Sequence, residues 1–397
     1  TGGTDEIEYS GSKHVLINLN NATLNQASDV SRITNIIDDL NGSSLFDSLL
    51  PSATASELRN DLLLPEWHAG GFGSRIFNNS GVADLGGYYI AADTYADVAH
   101  RTRIENATGA DLGDILIGNQ VANNMVGNGG DDLMIGSNGN DSLYGDSGDD
   151  DLYGGNQADL LSGDSGDDYL NAGNGHDFLY GGYGSDSMYG GDGNDTLFGG
   201  GGIRDLYYGG SGDDDFHIYA NQTSPITTVD FYGGDGYDQL FLRGGAGVFD
   251  FTELNISNVE EIVFNETGDS TMILSSKEID AGFELLSVTI DGFSGGSNAE
   301  NKVVVNIEDA YNSGNLDLSA WIFQDWQVAW DSIEIYGTDE DQEIIGTSQN
   351  DIIEAGPGQD TVYGGSGDDV FLDLESAAPS HVDVYYGGAG LDTVVDG

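Results

Sequence analysis

The chain of 397 residues contains no cysteine, which excludes disulfides and thiolate metal sites. It is also short of positive charge. Ten lysines and arginines stand against 69 acids, a formal charge of −59. Such a surface repels nucleic acid and anionic lipid, so no nucleic-acid binding is expected. No apolar run reaches the length that spans a bilayer, so no membrane insertion is expected. No charged-then-apolar signal peptide opens the chain. The six histidines (His14, His68, His100, His176, His217, His381) are scattered and never spaced as H-E-x-x-H, so the zinc-protease helix is absent.

Glycine, in contrast, is abundant, with 62 residues, and much of it is periodic. Between 109 and 217 a nine-residue pattern recurs about twelve times, as in GSNGNDSLY (136–144), GDSGDDDLY (145–153) and GGDGNDTLF (190–198). Each copy fits G-G-x-G-x-D-x-U-x, with U a large apolar residue. The sixth positions are Asp114, Asn123, Asp132, Asp141, Asp150, Asp159, Asp168, Asp177, Asp186, Asp195 and Asp214. One copy, around Arg204 and Asp205, carries an extra residue. The eighth positions read Leu116, Met125, Met134, Leu143, Leu152, Leu161, Leu170, Leu179, Met188, Leu197, Leu206 and Phe216, all apolar. A period of nine suits neither a helix at 3.6 nor an isolated strand at 2.

The glycines permit positive φ, so the first six residues of a unit can turn tightly. The last three form a short strand with U facing inward. Two units close one coil, and coils stack as parallel strands about 4.8 Å apart, giving roughly 29 Å for six coils. The expected fold is therefore all-β, a right-handed parallel β-roll or solenoid, with an aspartate from every turn stacked in two columns. Two unit charges 6 Å apart repel by about 0.7 kcal/mol in water and about 2.8 kcal/mol at an effective dielectric of 20. A hard divalent cation reverses that sign. Calcium takes six to eight oxygens from carboxylates and carbonyls, and a stacked turn offers both, whereas magnesium wants a smaller octahedral shell. The expected cofactor is thus calcium, roughly ten or more ions. The ligands would be Asp114, Asp132, Asp141, Asp150, Asp159, Asp168, Asp177, Asp186, Asp195, Asp205 and Asp214, with Asp238, Asp351, Asp360, Asp369 and Asp392 in later copies.

Four segments follow from the pattern. Residues 1–108 form an N-terminal β segment in which DEIEYSGSKHVLINLN (5–20) reads as a strand pair turning at Ser10-Gly11. A helical insertion is expected over about 29–64, where Ile33, Ile36, Ile37 and Leu40 share one face. The main roll and its end coil fill 109–241, including GGDGYDQLF (233–241). Residues 242–336 read as irregular β-coils without calcium, with strands at 260–264, 286–290, 303–307 and 333–336. A second, short ladder occupies 337–397. Both ladders end alike, in GGSGDDDFHIY (209–219) and GGSGDDVFLDL (364–374), an internal duplication. Both chain ends fall mid-repeat without a capping unit, as expected for a segment of a longer protein.

No other constellation points to catalysis. GFSGG (292–296) fits G-x-S-x-G but is followed by no helix pattern, so a glycine-rich turn is expected. Trp321, Trp326 and Trp330 could stack on sugar rings but are expected to fill a core. The tyrosines Tyr144, Tyr153, Tyr180 and Tyr189 could form an adhesive stripe for a partner but are expected to pack on the outer face of the roll.

The repeats resemble those of the RTX family of secreted Gram-negative proteins. The stretch IENATGADLGDILIGN (104–119), with YSGSKHVLINLN (9–20) upstream, is similar to the β-roll domain that follows the protease domain of serralysin-type metalloproteases, and similar stretches occur in large RTX adhesins and surface-layer proteins. Residues 28–85 interrupt the serralysin parallel. The resemblance implies type I secretion and folding outside the cell, where calcium is plentiful. The expected function is a non-catalytic, calcium-binding structural segment of an extracellular or cell-surface protein of adhesin or surface-layer type, with surface polysaccharide or self-association as further partners. The other expectation is the C-terminal part of an RTX exoenzyme.

Overall fold

The structure is a computed structural model. It describes strand residues 6–8, 15–18, 75–78 and 81–83, and 106–396 apart from 110, 112, 119–120, 202–203, 220–229, 245–246, 253–254, 265–268, 277–287, 293–299, 308–314, 328–330 and 374–381. The expected helical insertion at 29–64 and Ser294 of the G-x-S-x-G match lie outside the described residues. Contacts divide the chain into two compact units, Thr1–Gly193 and Asn194–Gly397.

In the first unit successive strands of the repeats alternate between two sheets. One sheet runs, in spatial order, Glu6–Glu8, Asn106–Thr108, Asn124–Gly129, Ser142–Ser147, Leu160–Ser165 and Phe178–Tyr183. The other runs Ser187–Asp192, Tyr169–Asn174, Asp151–Asn156, Leu133–Asn138, Ile115–Ile117 and Val15–Asn18, then Arg75–Asn78 and Gly81–Ala83. Within the repeats every strand is parallel to the strand two units later, in constant register. Leu143 faces Leu161 and Leu161 faces Leu179 in one sheet, while Leu152 faces Leu170 in the other. Two units therefore make one coil, and the eighth-position side chains fill the space between the sheets, wholly buried.

Three sequence expectations are corrected. Strands in the repeats run to six residues rather than three, as in Ser142–Ser147. Pairing continues around the corner because the neighbouring coil bends in the same way there, with Asp146 and Asp164 paired. The two strands within 5–20 do not pair with each other. Glu6–Glu8 lies parallel to Asn106–Thr108, and Val15–Asn18 parallel to Ile115–Ile117, because a stacked coil offers each strand a partner in the next coil. Finally, the eighth position of the copy with the extra residue is Tyr207, not Leu206. Tyr207 is buried and Leu206 half-buried, since the insertion shifts the inward face by one residue.

The turns depend on left-handed backbone. Asp146 has φ 73° and Gly148 φ 135°, the second and fourth residues of their copy. A Cβ on Gly148 would collide with the carbonyl of Gly130 in the preceding coil, so only glycine fits that close approach.

The second unit repeats the scheme. Thr196–Gly200, Asp215–Tyr219, Gln239–Arg243, Glu261–Phe264, Thr289–Asp291 and Ile322–Gln324 follow one another in one sheet. Gly247–Asp250, Ser270–Ser275, Lys302–Asn306, Ser332–Tyr336, Asp351–Glu354, Val370–Asp373 and Thr393–Asp396 form another. Leu206–Ser211, Asp230–Asp235 and Ile256–Ser257 are neighbours in a further sheet, and Leu316–Asp317, Glu343–Ile345, Thr361–Ser366 and Val384–Ala389 form a four-stranded one. The pairings within this unit are likewise parallel. Met272, Leu274, Val303, Val305, Ile333 and Ile335 form a dry interior where the nonapeptide is absent. Trp321 joins the buried set, as its core reading anticipated, while Trp326 is half-buried. Tyr144, Tyr153 and Tyr189 are half-buried and Tyr180 is exposed.

Candidate metal centre

The sixth-position aspartates lie at the end of a turn fixed by the glycines, just before a strand or, at Asp351, on its first residue. Along the columns the Oδ1 of one accepts a hydrogen bond from the backbone N–H of the sixth residue one coil earlier. Asp114 N–H donates to Asp132, Asp132 to Asp150, Asp150 to Asp168 and Asp168 to Asp186, at 2.5, 2.7, 2.8 and 3.0 Å. The second column runs from Asn123 to Asp141, Asp159 and Asp177, each step 2.7 Å. In the second unit Asp195, Asp214 and Asp238 follow the same rule, as do Asp351, Asp369 and Asp392. Asp360 takes part in a parallel column that begins at Gln342. Fifteen of the sixteen expected ligands are buried; Asp392, in the last coil, is exposed.

The second carboxylate oxygen is the informative one. Oδ2 of Asp132, Asp141, Asp150, Asp159, Asp168, Asp214, Asp238 and Asp369 is buried and receives no hydrogen bond from the protein. A buried carboxylate oxygen without a partner is costly, and so many in register call for a common ligand. The surroundings show where that ligand would sit. A Cβ placed on Gly136, the first residue of its copy, would stand 2.5 Å from Asp141 Oδ2 and 2.7 Å from the carbonyl oxygen of Gly154 in the next coil. At Gly154 the corresponding distances are 2.6 Å to Asp159 Oδ2 and 2.7 Å to Ala172 O. The first glycine thus leaves a cradle lined by a carboxylate oxygen and a carbonyl oxygen. No three acidic or histidine side chains converge among the described residues, so each cradle would rest on carboxylates and main-chain carbonyls together. These are hard oxygen donors without nitrogen or sulfur, the donor set of calcium rather than of zinc.

Burial without a counter-charge pushes these carboxyls up, helped at Asp132, Asp150 and Asp214 by neighbouring aspartates. Asp132 rises to about 9, Asp150 and Asp214 to about 8 and Asp141 to about 7. A carboxyl raised in the fold holds its proton more tightly there than in the unfolded chain. Protonation therefore stabilises the calcium-free fold; that contribution is whole below the usual carboxylate range and is lost as pH rises through about 7 to 9. Without calcium, β structure measured by circular dichroism should grow as pH falls from about 9 to about 5. Structure that stays constant or decreases over that range would contradict the account.

Not all rungs are equivalent. Ala172 occupies a first position, so its own methyl fills the cradle of that copy. In the copy with the extra residue, the Tyr207 hydroxyl lies with Asp205 Oδ2 in the cradle of Gly199. Asp351 is bonded from within its own turn, by Thr347 N–H at 2.6 Å and Thr347 Oγ1 at 2.9 Å. Sequence reasoning also missed members of the columns. Glu260 Oε2 accepts from Asp238 N–H at 2.7 Å, and Asp383 Oδ1 from Asp360 N–H at 3.0 Å. The stretch VDVYYGG (382–388), with Asp383 just before the strand Val384–Ala389 and a glycine pair behind it, was the available signal for Asp383.

The family described as RTX calcium-binding nonapeptide repeat matches the chain at 108–143, 126–161, 144–179, 171–206, 180–216 and 336–371. These segments are RTX calcium-binding nonapeptide repeats. They carry the two aspartate ladders, and the RTX repeat binds calcium, in agreement with the oxygen-lined cradles. No curated protein matches the chain.

Proposed function

We propose that this RTX chain is a calcium-dependent structural β-roll belonging to a type I-secreted bacterial protein of the cell surface or extracellular space, of adhesin or surface-layer kind. The reading assigns it no catalysis. The observation that supports it is the column of buried, unpartnered Asp Oδ2 atoms from Asp132 to Asp168, one at each rung. The residues that would hold the ions are those aspartates with the first-position carbonyls of the neighbouring coil. When bound, calcium supplies the positive charge that these oxygens lack. The chain's part is to aim a carboxylate oxygen inward at every turn, to fix its partner oxygen on the next turn by a main-chain hydrogen bond, and to bring a carbonyl beside it. Extracellular-type calcium sites have dissociation constants of about 0.1–1 mM, far above cytosolic calcium, so the chain folds after export.

Equilibrium dialysis of the full chain tests this reading. At millimolar calcium it should retain several ions per molecule, with magnesium at equal concentration displacing few of them. Retention of one ion or none would overturn the proposal.

A further inference from the structure

Between 242 and 336 no copy of G-G-x-G-x-D occurs, yet two coils there keep the ladder's hydrogen-bond rule. Asn301 N–H donates to Asp331 Oδ1 at 2.9 Å, across thirty residues instead of eighteen. Asn301 and Asp331 stand immediately before the paired strands Lys302–Asn306 and Ser332–Tyr336, as the ladder aspartates stand before theirs. Ser332 N–H donates to Asn301 O at 3.0 Å, the bond that Leu133 N–H makes to Asp114 O. Gly292 takes the place of the first-position glycine. It follows strand Thr289–Asp291, and its N–H donates to Gln324 O at 2.9 Å, as Gly109 N–H does to Val126 O. A Cβ there would stand 3.1 Å from Asp325 O and 3.2 Å from Asp331 Oδ2. This is a wider copy of the ladder cradle.

A second observation points to a ligand. Asn301 is 4 % exposed, and its Oδ1 is buried without a hydrogen-bond donor. The orientation of the amide is fixed, because Nδ2 donates to Gly292 O at 2.9 Å. A flipped amide would set two acceptor oxygens against each other, so the atom left without a partner is the oxygen. Asp331 supplies a carboxylate beside it. Its Oδ2 accepts from Gln327 N–H at 2.7 Å and retains a lone pair.

We propose that Gly292, Asn301, Asp325 and Asp331 form a further divalent-cation site outside the nonapeptide repeats. Its donors are Asn301 Oδ1, the Asp331 carboxylate and the Asp325 carbonyl, with Gly292 leaving the room. The ligand class is a hard cation of calcium type. Here the second side-chain donor is a neutral amide oxygen, whereas the ladder sets an aspartate at each successive coil. Affinity weakens as ligand charges become fewer, so this site fills at higher calcium than the ladder.

Terbium provides the test, because the ring residues near the two kinds of site differ. The four tryptophans, Trp67, Trp321, Trp326 and Trp330, all lie outside 108–216 and 336–371, whereas tyrosines line the ladder. Trp326 Cα stands 3.2 Å from the Cβ position of Gly292. Terbium added to the full chain should therefore give emission sensitised by tryptophan, excited where tyrosine does not absorb, besides the tyrosine-sensitised emission of the ladder. The tryptophan-sensitised part should saturate at higher terbium concentration. Asn301→Leu should lose it and keep the tyrosine-sensitised part. Should that variant lose both, Asn301→Asp decides, since it keeps the oxygen and adds a charge, and its tryptophan-sensitised signal should half-saturate at lower terbium. Absence of tryptophan-sensitised emission from a wild-type chain that shows the ladder signal would overturn the site, as would its persistence in Asn301→Leu. Absence of the tyrosine-sensitised signal alone would count against the ladder and leave this site standing.

Discussion

Excess chelator is expected to abolish most of the β circular-dichroism signal of the full chain, and millimolar calcium to restore it, with magnesium restoring little. The cause is the density of buried carboxylates. Asp132, Asp150 and Asp168 follow one another at single-coil steps, each with one buried oxygen that receives no hydrogen bond. Stripped of cations at neutral pH, they must either take up protons that the unfolded chain does not hold or ionise and repel one another, and they have lost the water that would solvate the charge. The eighth-position residues contribute one buried side chain per nine residues, a thin core to set against that penalty. Magnesium keeps much of its water and demands a tighter octahedron, so it cannot use main-chain carbonyls set by a rigid turn. A spectrum unchanged by chelator would show that the coils stand without bridging charge.

The second large effect separates the cradle from the backbone. Gly145 and Gly148 belong to the same copy but serve different ends. Gly148, at φ 135°, meets the preceding coil's main chain, with Asp131 N 2.9 Å from a Cβ and Gly130 O nearer still. Gly148→Ala should destabilise the coil at every calcium concentration, by about 1–3 kcal/mol. Gly145 is not in the left-handed region, so alanine suits its backbone. The obstruction there is the cradle itself, with Asp150 Cγ 2.8 Å and Gly163 O 3.0 Å from the Cβ position and Asp150 Oδ2 closer. Gly145→Ala should therefore displace the carboxylate and raise the calcium concentration at the folding midpoint, roughly tenfold for about 1.4 kcal/mol, while the saturated fold remains. Ala172 shows that the main chain accepts alanine at a first position. The check is a calcium titration of both variants followed by circular dichroism. Equal midpoints for Gly145→Ala and the unaltered chain would refute the cradle.

Where the nonapeptide is strict, most of this architecture is legible from the residues. The apolar eighth position marks the interior and the sixth marks the turns, and two such units suffice to close a coil. The places that resisted reading share a cause. Strand partners are one coil away, so the local alternation at 5–20 reveals strands but not that Glu6–Glu8 pairs with Asn106–Thr108, a hundred residues on. One inserted residue near Arg204 shifts the inward face by one, so Tyr207 rather than Leu206 enters the core. Glu260, Asn301 and Asp331 keep the column's hydrogen bonds in coils longer than eighteen residues, without a glycine pair to announce them. Thr347 satisfies Asp351 from inside its own turn, a distinction that the spacing alone does not carry.

Anomalous diffraction from crystals grown in calcium measures the central claim directly. Metal peaks beside Oδ2 of Asp132, Asp150 and Asp168, next to the first-position carbonyls of the adjoining coil, are the predicted result. Intact coils with those cradles free of metal would contradict it.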